Sequence, residues 1–181
     1  PVQEGQVWYN TTSNTAKVQS SVATASWSTG GSLNTGRIAA MNGAGTQNAG
    51  LVYGGLQENT GTYLNQTESY NGTSWTELNN LNTARNAGAA GGTQTSALLA
   101  GGAPTTTASE SWDGSCWTTT PSLNAGRQYL TGAMESGTAG IAFGGLPPPS
   151  GVGNTELYDG STWSEVADLN TARRSNAGVG S

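Results

Sequence analysis

Histidine is missing from this chain altogether. With it go the commonest general base, the Ser-His and Cys-His nucleophile pairs and most zinc or copper sites. Cysteine appears once, at Cys116, so no internal disulfide can form. Charge is scarce: 9% of the 181 residues are charged, and the net charge is −5. The six positive residues include only one lysine, Lys17. Duplex nucleic acid needs clustered Lys and Arg on one face and is not an expected partner. No run approaches the roughly 18 consecutive apolar residues of a membrane helix, so membrane insertion is not expected either. The scattered acids Glu4, Glu58, Glu77, Glu135, Glu165 and Asp168 form no recognisable pair for carboxylate-only glycoside hydrolysis. The expectation is a protein without catalytic residues, metal or cofactor.

What the chain has is a phrase written four times. A Trp is followed six residues later by Leu-Asn and ten residues later by Arg: Trp27 and Arg37, Trp75 and Arg85, Trp117 and Arg127, Trp163 and Arg173. The Trp spacings are 48, 42 and 46 residues while the internal offset never changes. A rigid phrase inside a variable period is the pattern of stacked supersecondary units with one loop free to change length.

Within a unit the residues read as four short antiparallel strands, a to d. Strand a follows the Arg, and b is an apolar run such as Ser96–Gly102 closed by Gly-Gly. Strand c carries Glu, and d carries the Trp. Asn71-Gly72, Asp113-Gly114 and Asp159-Gly160 fall between c and d, where such dipeptides predict tight hairpins with positive φ at both central residues. Apolar spacing of three and four never persists for ten residues, so helix is nearly absent. Four-stranded units of about 45 residues repeated around an axis make an all-β propeller.

The units resemble the kelch repeat at Gly54-Gly55…Tyr70…Trp75…Arg85, Gly101-Gly102…Trp112…Trp117…Arg127 and Gly144-Gly145…Tyr158…Trp163…Arg173. The resemblance runs from about Trp27 to Ser181 and departs from the pattern where Trp112 replaces Tyr. It implies a kelch-like propeller of four-stranded antiparallel blades. Full blades are expected over about 37–79, 85–120 and 127–167, with an incomplete strand at 173–181. Residues 1–20 read instead as a hairpin lead-in before the repeats at 21–181. The run Gly5-Gln6-Val7-Trp8-Tyr9-Asn10-Thr11-Thr12…Lys17-Val18 resembles the lead-in of bacteriophage tail-fibre and other virion proteins. Either the N-terminal strands take a strand from Asn176–Gly180 and close a four-bladed ring, or the chain is a piece of a larger propeller. The second reading is preferred.

The repeated Trp27, Trp75, Trp117 and Trp163 are expected to pack between blades. Arg37, Arg85, Arg127 and Arg173 are expected to pair with Glu68, Glu110 and Glu156, each seven residues before its Trp, or to cap loop carbonyls. The first unit has Ser20 in place of the Glu. Between Gly-Gly and Glu the gaps are 13, 8 and 11 residues, so insertions concentrate in the b–c loops. Such insertions on one face mark a candidate binding surface. It comprises Gln57–Gln66, Ala103–Ala108 and Leu146–Asn154, with Tyr63, Leu64 and Leu146 as the expected exposed contacts. The functional expectation is a non-enzymatic virion or extracellular attachment protein whose partners are other virion proteins or a host-surface glycan or protein, with homo-oligomers among the options. The alternative is a secreted bacterial kelch-type module that binds carbohydrate or protein.

Overall fold

A computed structural model describes residues 29–38, 42–175 and 177–178, together with the backbone of Val7–Asn10 and Thr15–Val18. Trp27 lies outside the described residues, as does all but the last residue of the strand expected over Thr24–Thr29. All regular structure among the described residues is β, and no helix is present. The strands β1 (Val7–Asn10) and β2 (Thr15–Val18) pair as an antiparallel hairpin.

Three four-stranded antiparallel sheets follow, each a meander in chain order. The first contains β3 (Asn42–Thr46), β4 (Ala49–Tyr53), β5 (Thr67–Tyr70) and β6 (Trp75–Leu78). The second contains β7 (Ala89–Thr93), β8 (Ser96–Ala100), β9 (Ser109–Trp112) and β10 (Trp117–Thr120). The third contains β11 (Thr131–Ser136), β12 (Ala139–Phe143), β13 (Thr155–Tyr158) and β14 (Trp163–Val166). These are the a, b, c and d strands of successive blades. The first strands come together, with β7 packed between β3 and β11. They surround a hollow of about 280 Å³ lined by small residues, including Gly43, Gly45, Gly91 and Gly132. Large side chains there would hold the strands apart, which accounts for the weak, small-residue pattern of strand a.

Apolar burial lies between blades. Leu51 and Tyr53 of β4 join Leu99, Trp112 and Trp117 of the second sheet in one cluster. Leu98 and Ala100 of β8 join Met134, Ala142, Tyr158 and Trp163 of the third in another. Trp117 and Trp163 are therefore interblade side chains, each 5% exposed. The Trp117 ring lies 4.7 Å from that of Tyr53. Its indole N–H donates to the Thr67 hydroxyl of the first sheet at 2.9 Å. Trp75 is only half-buried; its ring packs on Tyr70 at 4.9 Å and its N–H donates to the Gly31 carbonyl.

The c–d turns differ from the expected two-residue form. Trp112 pairs with Trp117 and Tyr158 with Trp163, which leaves four-residue loops. In each, only the glycine has positive φ: 92° at Gly72, 95° at Gly114 and 92° at Gly160. The preceding side chain replaces the second strained residue. Asp113 Oδ1 accepts the N–H groups of Ser115 and Cys116, both at 2.8 Å, and Asp159 and Asn71 do the same in their turns.

Candidate functional site

The repeated Arg, Asn and Glu of the three buried pairs converge beneath the b–c end of the sheets. Arg85 stands just before β7, and its guanidinium meets Glu110 of β9 at 2.9 Å, with both side chains buried. Arg37 and Glu68 of the first sheet pair at 2.5 Å, and Arg127 and Glu156 of the third at 2.6 Å. A buried charge persists only when its remaining donors and acceptors are met. Here the repeat itself meets most of them, although the Nε groups of Arg85 and Arg127 are buried without an acceptor. The second oxygen of Glu156 accepts the backbone N–H of Asn124 at 2.7 Å and its side-chain amide at 2.9 Å. That amide also reaches the Trp163 carbonyl. Arg127 Nη1 donates to the carbonyls of Gly144 and Asn154. Asn34 and Asn82 hold Glu68 and Glu110 in the same way. Arg85 reaches its strand carbonyl less closely, at 3.5 Å to Leu99, and burial lowers its pKa against the pull of Glu110.

Arg85 and Arg127 are also fixed through their backbones to the preceding sheet. Arg85 N–H donates to the Leu64 carbonyl, and its own carbonyl accepts the N–H of Gly55. Arg127 repeats this with Thr106 and Gly102. The glycine pair permits the approach. Gly54 and Gly55 have φ of 64° and 115°, and a Cβ on Gly54 would run into the Arg85 carbonyl. One connector thus bonds backward through its backbone and forward through its side chains. An inserted residue would break one set, which explains the constant ten-residue offset.

The ends of the b–c loops are also fixed. Leu64, Asn65 and Gln66 give their carbonyls to Arg85, Leu81 and Gly54; Thr106, Thr107 and Ala108 give theirs to Arg127, Leu123 and Gly101. Leu64 is accordingly buried, at 5% exposure, and so is Leu146, at 8%. Leu146 bridges to Gln128, as Leu56 bridges to Ile38 and Ala103 to Asn86. Neither leucine is an exposed contact. Both act as anchors because the loop folds back onto the Gly-Gly corner. Tyr63 is 37% exposed. It bridges to Leu56, which bridges to Ile38, so the three side chains form an open row on the first blade. Tyr129, 38% exposed with φ of 53°, stands where the third blade begins and had no marker in the sequence.

The connectors join the b–c ends of successive sheets, so the loop tips 57–63, 104–105 and 147–151 leave on one face. Among the described residues no cluster of acidic or sulfur side chains is arranged for a metal. Cys116 is an exposed free thiol in a c–d turn, at the opposite end of its sheet. A scan of the chain against protein-family models finds no match, and a search of curated proteins finds none.

Proposed function

We propose that this chain is a non-enzymatic virion attachment protein of bacteriophage tail-fibre or appendage type. It carries its recognition surface on the b–c loop tips and works outside the cell, on a host-surface glycan or protein. The observation that carries the reading is the division within each b–c loop. The last three residues are bonded into the blade junction, while all the length variation falls in the tip. Packing explains the constant part and leaves the tips free to vary. The composition of the tips (Gln57, Thr60, Thr62 and Tyr63 in one, Thr105 in another) suits hydrogen bonding and ring stacking on a polyhydroxylated ligand. The lead-in resembling virion proteins favours this over a free secreted module.

Replacing residues 58–62 and 148–150 by Gly-Ser segments of equal length leaves every anchor in place. The reading expects that variant to lose host-cell adsorption, or glycan-array binding, with unchanged melting. Unchanged adsorption assigns recognition to another part of the protein.

A further inference from the structure

The two blade junctions share most of their parts. An Arg and the Asn before it reach forward to the next sheet's Glu. At the first junction the Thr67 hydroxyl accepts the next sheet's Trp indole, a bond that Ser109 and Trp163 do not make at the second; at both, an apolar residue of strand b, Leu51 or Leu98, is covered by the next sheet. The far side of the third sheet has all these parts. The Arg173 backbone is fixed like its counterparts, its N–H on the Val152 carbonyl and its carbonyl on the Gly145 N–H. Its guanidinium is exposed, and among the described residues it makes one bond, from Nε to the Thr171 carbonyl at 3.3 Å. Arg37 makes the equivalent bond, to Thr35 at 3.3 Å, while it holds Glu68. Arg173 thus shares its Nε bond with Arg37, one of the three arginines that hold a glutamate.

The other parts agree. Thr155 is buried at the position of Thr67. Ile141 occupies the place of Leu51 and Leu98, which are 2% and 0% exposed, yet it is only half-buried, and Leu157 beside it is 46% exposed. The face holds a hollow of about 300 Å³ whose lining includes Ala133, Ile141, Leu157 and Tyr158, with the acidic Glu135 and Asp159. Gly178 follows Arg173 by five residues, as Gly132 follows Arg127. It lies against Gly132 and lines the axial hollow beside β3, β7 and β11.

We propose that this face docks one further unit of the same repeat, bearing a Glu seven residues ahead of its Trp. The carboxylate takes the Arg173 guanidinium and the amides of Asn170 and Thr171; the indole takes the Thr155 hydroxyl. The unit at the N-terminus meets only half of this requirement, because it has Trp27 but Ser20 in place of the glutamate.

In the register of the repeat Ser181 corresponds to Thr93, so a second copy of residues 94–120 joined after Ser181 supplies the missing strands in phase. The extended chain is expected to melt roughly 5 °C or more above the original. The gain should vanish with Arg173→Met, or with Gln in place of the copied Glu110. Should the long extension be insoluble, a copy of residues 109–120 on a short linker gives the same comparison. No gain, or a gain that survives both substitutions, overturns the proposal. So does a result in which Trp27→Phe and Thr155→Val destabilise the unextended chain equally while extension adds nothing, since the N-terminal unit then holds the face.

Discussion

Arg127 touches two sheets at once: its backbone bonds to Thr106 and Gly102 of the second, and its guanidinium lies 2.6 Å from Glu156 of the third. Glu156 is held on its other oxygen by Asn124, three residues before that arginine. The repeat phrase therefore acts as one mechanical part, clamping blade to blade.

Breaking a buried pair leaves an uncompensated charge, at a cost of about 3–5 kcal/mol. Glu156→Gln and Arg127→Met should each destabilise by that order in denaturant titration, and the double variant by clearly less than their sum. Additive losses would mean that the two side chains do not interact as described.

The tryptophans should not be equivalent. Trp117→Ala removes a side chain 5% exposed and is expected to cost about 3–5 kcal/mol. Trp75→Ala, at a half-buried position, should cost distinctly less. Thr67→Val leaves the Trp117 indole N–H without its acceptor, at about 1–3 kcal/mol. Equal melting shifts for the two tryptophans would contradict this order.

Within the first b–c loop, neighbouring residues should behave oppositely. Leu64→Ala, in the bonded end, is expected to cost about 2–5 kcal/mol. Substitutions at exposed tip positions such as Thr60 should stay within about 0.5 kcal/mol. A large loss at Thr60 would extend the anchor into the tip.

The c–d turns carry a dependence on acid. Backbone N–H groups of Cys116 and Ser115 hold the Asp113 carboxyl below its ordinary value of 3.8, and those of Thr162 and Ser161 do the same for Asp159. A carboxyl with a lowered pKa when folded stabilises the fold above its unfolded pKa, and this contribution is lost as pH falls through the folded value. The chain should lose stability below about pH 4. Asp113→Asn with Asp159→Asn should flatten that part of the pH–melting profile, because Asn71 caps the first turn without a titrating group. An unchanged profile would place the acid sensitivity elsewhere.

The sequence makes the unit legible because its signals are local and repeated. Trp117, Asp113-Gly114 and Gly101-Gly102 mark strand d, the c–d turn and the end of strand b without reference to the rest of the chain. The turn type was not legible: an Asx side chain in the loop substitutes for a second positive φ, and the dipeptide looks the same in either case. Leu64 and Leu146 were misplaced for a related reason. An apolar residue in a polar loop looks like a contact until the bonds of that loop to the next connector are visible. Tyr129 carried no signal because the positive φ two residues after the arginine falls on Ala87, Tyr129 and Ser175, which share no side-chain chemistry.

The central claim is the division of each b–c loop into an anchored end and a free tip, and native-state amide exchange tests it most directly. The amides of Gly55, Leu64, Arg85, Gly102 and Arg127 should exchange close to the rate of global unfolding, while those of Glu58, Asn59 and Thr105 exchange orders of magnitude faster. Comparable protection across the whole loop, or fast exchange at Gly55 and Gly102, would contradict it.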